Sequence, residues 1–254
     1  MGFIDLNCDM GESPEAIADG TQEALMPSLS SVNIACGAHA GDEYTMKTTI
    51  EQAMRWNLAI GAHPGYRDPA NFGRLEWNLP PDILADSVFE QVLQLAEVAA
   101  RFGARLTHVK PHGALYNQAA RDVEVAKAVA FGVSHYSHDL VLFGLAGSPG
   151  LDVFHKAGFT VAAEAFVDRR YEPDGSLRSR KHEDALIRDP AEAARQAVRI
   201  AEEGTAQTIC IHSDTPGAPE IAAAVAGALR DAGITLRPVS RTETHGSRIR
   251  KSRE

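Results

Sequence analysis

Short apolar or β-branched runs alternate with longer amphipathic stretches along the chain, the pattern of repeated parallel βα units. The short runs predict strands at residues 3–7, 31–35, 59–62, 105–109, 140–143, 160–163 and 208–212. The longer stretches predict helices, clearest at 43–57, 82–102, 190–203 and 216–232. Within 82–102, Ile83, Leu84, Val88, Val92, Leu95, Ala96 and Ala99 recur at three- and four-residue spacing, with Asp82 read as N-cap and Gly103 as stop. Such a helix lays one face against a sheet. No linker, low-complexity stretch or internal repeat interrupts the series, so residues 1–238 read as a single domain. Seven units that close on themselves make a seven-stranded parallel TIM-like (β/α) barrel. An open doubly wound sheet is the competitor. Its GxGxxG fingerprint is absent after the first strand, where the chain reads Asp5-Leu6-Asn7-Cys8-Asp9-Met10-Gly11-Glu12.

Composition narrows the setting. No run approaches the ~18 apolar residues of a membrane helix, and Asp5 and Asp9 stand where a signal peptide carries positive charge, so a cytoplasmic protein without membrane attachment is expected. A net charge of -9 over 254 residues argues against a nucleic-acid surface. The charge is uneven: Arg237, Arg241, Arg248, Arg250, Lys251 and Arg253 give the C-terminal end a basic character, and residues 239–254 are expected to be a disordered tail. Cys8, Cys36 and Cys210 lack metal-ligand spacing and read as buried thiols.

A parallel barrel builds its site where strands end, and polar residues follow six of the seven predicted strands. The first ends in Asp5, Asn7 and Asp9, the second in Asn33 with His39 and Asp42 beyond it, and the third in His63. The fourth runs into Lys110 and His112, the sixth into Glu164, Asp168 and Arg169, and the seventh into His212 and Asp214. Only the fifth delivers nothing titratable. Asp5 and Asn7 share one side of a strand and serve either as a structural hydrogen-bonded pair or as mouth residues. Gly37 and Gly41 around His39 suggest a tight loop or a close approach to a ligand. Lys110 at a strand end needs an anion, either a substrate group or a carboxylate such as Glu164 or Asp214. Arg169 offers a fork for an anion, and Asp214 stands two residues from His212, close enough to orient its ring. His108, His135, His138, His155, His182 and His245 read as surface or satisfied histidines. A Walker loop, a GxSxG elbow and HExxH are all absent, which leaves a mouth suited to activating water or stabilising an anion, with or without a divalent metal.

Five of these segments closely resemble the LamB/YcsF family, the family of the 5-oxoprolinase A subunits: residues 4–12, 31–42, 61–66, 108–117 and 166–171. The resemblance implies a barrel of the glycoside hydrolase/deacetylase type and ATP-dependent opening of 5-oxoproline to glutamate, in concert with the B and C subunits as partners. For that activity the strand-end residues Asp5, Asn7, Asp9, His39, His63, Lys110, His112, Glu164, His212 and Asp214 are the expected catalytic set, with Lys110 and Arg169 facing carboxylate or phosphoryl oxygens. One of Asp5, Asp9, Glu164 or Asp214 would serve as base, and His63, His112 or His212 as proton donor or orienter. The chain departs from the family pattern in reading Cys210-Ile211-His212-Ser213-Asp214 in place of His-Gly-Asp, Ala38 in place of phenylalanine, and Leu75 in place of a second arginine after Arg74. It also lacks a segment of roughly ten residues between Gly204 and Thr208, where surface loops tolerate such change. Two other readings stay open: a metal-dependent deacetylase or sugar hydrolase, and a non-catalytic protein that binds ligand while its partners do the chemistry.

Overall fold

The computed structural model describes residues 2–173 and 175–241. Seven parallel strands close into a barrel: β1 (Phe3–Met10), β2 (Ser31–Ala35), β3 (Ala59–His63), β4 (Leu106–Val109), β5 (Val141–Leu145), β6 (Thr160–Phe166) and β7 (Thr208–His212). Neighbours in sequence are neighbours in the wall, and β1 closes the ring by pairing with β2 at Asn7 to Ser31 and with β7 at Asp5 to Thr208. The open sheet is thereby excluded. A short β8 (Thr235–Leu236) lies beside Phe3 and Ile4, where β2 has not yet begun.

Helices α1 (Pro14–Ala18) and α2 (Thr21–Leu25) follow β1, and α3 (Glu43–Arg55) follows β2. Next come α4 (Pro81–Arg101) after β3, α5 (Gly113–Arg121) and α6 (Val123–Tyr136) after β4, and α7 (Pro149–Lys156) after β5. The last two are α8 (Pro190–Glu203) after β6 and α9 (Ala218–Asp231) after β7. Local chemistry sets their ends. Asp42 accepts from the Thr45 amide while the Thr45 hydroxyl accepts from the Asp42 amide, a reciprocal cap that starts α3. Asp189 caps α8 ahead of Pro190, and Gly204 in the left-handed region ends it. The α4 start differs from the sequence reading: its N-cap is Pro80, not Asp82, because Pro81 in the first turn has no amide hydrogen to satisfy. Helix α9 begins at Ala218 rather than residue 216, after the positive φ of Gly217.

Alternate residues of β1 divide the molecule. Ile4, Leu6, Cys8 and Met10 point outward into the main core between wall and helices, while Asp5, Asn7 and Asp9 point inward. Helix α4 contributes Leu84, Val88, Val92, Leu95 and Ala99 to that core, as its periodicity requires. Val239, assigned to the tail by the sequence, is instead buried against Val141, Phe143 and Ala162, so the folded body runs past residue 238. Residues 242–254, including His245, lie outside the described residues. Among the described residues, no helix is long and apolar enough to cross a membrane.

Candidate active site

The barrel interior is polar and built in layers. In the lowest, the carboxylate of Asp5 accepts from the hydroxyls of Ser30 (2.6 Å), Ser31 (2.8 Å) and Thr208 (2.6 Å). Burial pushes Asp5 up to about 6, against the hydroxyls that favour its ionised form. Above it, Asn7 Nδ2 donates to Glu164 Oε1 (2.9 Å) and Thr208 Oγ1 (2.7 Å), and Asn33 Nδ2 donates to Asn7 Oδ1 (2.7 Å) and Asp9 Oδ1 (2.9 Å). His108 completes this layer, donating from Nε2 to Asn33 Oδ1 (2.9 Å) and stacking on Phe143. Gly61 makes room for it: a Cβ there would stand 2.2 Å from the His108 ring. Burial lowers His108 to about 3, so it is a neutral, satisfied histidine, in agreement with the sequence.

Lys110 sits at the next level. Its Nζ lies 3.0 Å from Asp9 Oδ1, 3.0 Å from Glu164 Oε1 and 3.0 Å from Cys210 Sγ. Of the two carboxylates expected from the sequence, Glu164 is its partner and Asp214 is not. Burial opposes the ammonium, yet Asp9, Cys210 and Glu164 outweigh that cost and hold Lys110 well above its ordinary value. Asp9 is likewise disfavoured by burial and is nonetheless held well below the usual carboxylate range by His63 and Lys110. This is a charged pair kept by mutual compensation, and removal of either partner would strand the other.

The loops beyond β1 to β4 bring together His39, His63, His112 and Glu12, whose ligand atoms all lie within 4.8 Å of one another. His39 and His112 stack with ring centroids 3.7 Å apart. The tight loop around His39 is confirmed by Gly37 and Gly41, with φ of 85° and 86°. Glu12 is a site residue that the sequence reading passed over. Its signal was available, for it is a carboxylate one residue after a glycine just past β1. Asp42, by contrast, serves α3 as its cap.

On the opposite side, His212 Nδ1 lies 3.0 Å from Asp168, whose other contacts are the Thr215 hydroxyl (2.6 Å) and the His212 amide (3.0 Å). Asp168, and not Asp214, therefore orients the His212 ring. Asp214 lies at the rim, where Oδ2 accepts from Arg74 (2.6 Å) and Arg180 (2.8 Å). It is a strap across the entrance. Arg169 donates from Nη2 to the carbonyl of Arg178, while its buried Nε has no partner among the described residues. A cavity of about 930 Å³ opens above these groups, lined by Asp9, Glu12, His63, Lys110, His112 and His212 at its base. Asp5, Asn7, His39 and Glu164 do not line it, although the sequence set them with the site.

The LamB/YcsF family model matches residues 4–244. This chain belongs to the LamB/YcsF family. It is 47% identical over 246 residues to the 5-oxoprolinase A subunit of Chloroflexus aggregans, covering 92% of this chain and 98% of that protein. It is 45% identical to the 5-oxoprolinase A subunit of Heliobacterium modesticaldum, covering 92% and 97%. Among solved structures, a lactam utilization protein from Thermus thermophilus superposes with a TM-score of 0.87 at 40% identity, covering 93% of this chain and 100% of that one. A family 4 carbohydrate esterase from Streptomyces lividans, in complex with acetate, superposes with a TM-score of 0.53 at 11% identity, covering 96% and 95%. That likeness is one of fold.

Proposed function

We propose that this chain is the A subunit of a 5-oxoprolinase, which opens the lactam ring of 5-oxoproline to glutamate in concert with partner subunits. The observation that carries the reading is Lys110: a buried cation at the base of a large cavity, beside an Asp-oriented histidine, in a chain of a family whose relatives bear that name. Ring opening adds hydroxide from water to the lactam carbon, breaks the carbon–nitrogen bond and delivers a proton to the departing nitrogen. Lys110 Nζ supplies positive charge for the oxygen on which negative charge develops. His212, held at Nδ1 by Asp168, takes the proton of water at Nε2 and returns it to the ring nitrogen. Glu12, His63 and His112 cluster on the cavity floor and would hold the water there, directly or through a cation bound among them. Arg169, which lines the cavity, offers its guanidinium to the substrate carboxylate. Asp5 is taken up by hydroxyls beneath the site and Asp214 by two arginines above it, so neither is assigned as base.

ATP, implied by the family resemblance, would make the lactam carbonyl electrophilic. Three of the cavity's six cations, Arg74 and Arg180 with Asp214 and Arg121 with Glu76, are already paired, and the Ala114 amide at the start of α5 is spent on the Gly73 carbonyl, which weighs against a triphosphate here. We therefore assign the nucleotide-dependent step to the partner subunits. The test is reconstitution: the chain alone and with co-purified partners, assayed for glutamate from 5-oxoproline and ATP. Glutamate is expected only from the assembly, and Lys110→Ala, His112→Ala and His212→Asn are expected to lower kcat on the order of 100-fold or more with the fold intact. Full activity in Lys110→Ala and His112→Ala would overturn the assignment. Release of acetate from acetylated sugars without nucleotide would favour the deacetylase reading instead.

A further inference from the structure

Two hydrogen bonds fix the protons of the central imidazoles. His63 Nδ1 lies 2.7 Å from the carbonyl oxygen of Lys110, and His112 Nε2 lies 2.9 Å from that of Phe72. A carbonyl oxygen only accepts, so each of these nitrogens carries its ring's hydrogen. The remaining nitrogens, His63 Nε2 and His112 Nδ1, then turn lone pairs towards each other across 3.0 Å. Glu12 Oε1 stands 3.1 Å from His112 Nδ1 and 3.7 Å from His63 Nε2, and Asp9 Oδ2 stands 3.4 Å from His63 Nε2. With both rings neutral, acceptors thus converge with no hydrogen between them, and a proton added to His63 is the competing occupant. In a buried setting that arrangement is repulsive unless a cation occupies its centre.

His39 plays a different part. Its Nε2 donates to Glu12 Oε1 at 3.0 Å, and its Nδ1 is buried without a partner among the described residues. To ligate through Nε2 it would have to move its hydrogen to Nδ1, where nothing accepts it. It also lies flat on His112, so the two rings do not converge on a common point. His39 holds the carboxylate of Glu12 in place.

We propose that Glu12, His63 and His112 form a site for a divalent transition metal of the zinc class. Their separations of 3.0, 3.1 and 3.7 Å bracket the ~3.4 Å between ligand atoms that bonds of ~2.1 Å at tetrahedral angles require. Two histidines and one carboxylate are a common three-residue set for such ions, and the backbone carbonyls behind both rings are the usual supports of metal-bound imidazoles. All three residues line the base of the cavity, which leaves a coordination position facing the space where a ligand enters. The proposal does not rest on the 5-oxoprolinase reading. A chain without lactam-opening activity would still bind the ion.

The experiment uses the full chain, stripped with chelator and titrated with zinc by calorimetry and with cobalt(II) by visible absorption. One equivalent is expected, with the intense visible bands of a four- or five-coordinate cobalt. In the wild-type protein, zinc is expected to shift the imidazole nitrogen-15 resonances of His63 Nε2 and His112 Nδ1 and to spare the nitrogens bonded to the two carbonyls. Glu12→Gln and His112→Ala are expected to weaken binding on the order of 100-fold or more. Failure of the stripped wild-type chain to take up a stoichiometric ion overturns the proposal, and a shared proton is then the occupant. Binding that leaves both imidazoles unshifted also overturns it. The wild-type spectra decide the question even where a variant fails to fold.

Discussion

Asp5 is a carboxylate buried completely among hydroxyls at the bottom of the polar interior, and it makes stability depend on pH. Its pKa is raised from an ordinary 3.8 to about 6, so the folded state binds this proton more tightly than the unfolded chain. The stabilisation is complete below the unfolded value and is lost as pH rises through about 6, a span worth about 3 kcal/mol. Asp5→Asn removes the titration. In urea denaturation at pH 4 and pH 7.5, the variant is expected to gain on the wild type by about that amount as pH rises. A constant difference between the two proteins would refute the claim. The same residue shows how far single positions were legible. That Asp5 and Asn7 share a side followed from strand alternation, but their depth below the cavity did not, because depth depends on the stagger of neighbouring strands. His212 is similar. Sequence proximity pointed to Asp214 as its orienter, whereas the barrel places Asp168 of the adjoining βα segment beside it and sends Asp214 to the rim.

At the scale of elements, strands were recognisable and their ends were cut short. β1 runs to Met10 and β6 to Phe166, yet the apolar runs suggested stops at residues 7 and 163. The physical cause is the polar interior: Asp9 and Glu164 face inward on continuing strands, and an inward-facing charge looks like a loop residue in a linear pattern. Helices outside the wall obey ordinary packing, and α4 against α6 is one close case. A Cβ at Gly132 would stand 2.4 Å from the Ala85 carbonyl oxygen and 3.0 Å from Val88 Cβ. Gly132→Ala is therefore expected to push the two helices apart and cost about 1–3 kcal/mol, despite the better helix propensity of alanine. Thermal denaturation measures it. A variant as stable as the parent would mean that the helices separate freely.

For the whole molecule, closure is the property on which the rest depends. The inner residues of β1 are bonded through the backbone to both β2 and β7, so no edge remains at which the ring can fray. Amides of residues 7–9 are expected to exchange with deuterium only through global unfolding, whereas those of β8 and of the Tyr171 to Leu177 bridge exchange through local opening. Equal protection across these segments would contradict it. Barrel architecture was legible because seven alternations and the absent dinucleotide fingerprint left few competitors; convergence of strand-end residues followed from it. Glu12 carried a weaker signal, a lone carboxylate after Gly11, and it enters the site by a loop reversal at that glycine which no linear pattern shows. The fifth strand has the last consequence. It brings Val141, Phe143 and Leu145 to the interior and no titratable group, and Leu145 lines the cavity together with Phe166 and Tyr116. One flank of the chamber is therefore greasy while the opposite flank bristles with charge. A guest with a methylene edge and a heteroatom edge has a single comfortable way round, and a product that acquires a second carboxylate and an ammonium outgrows the dry flank and is driven back towards water.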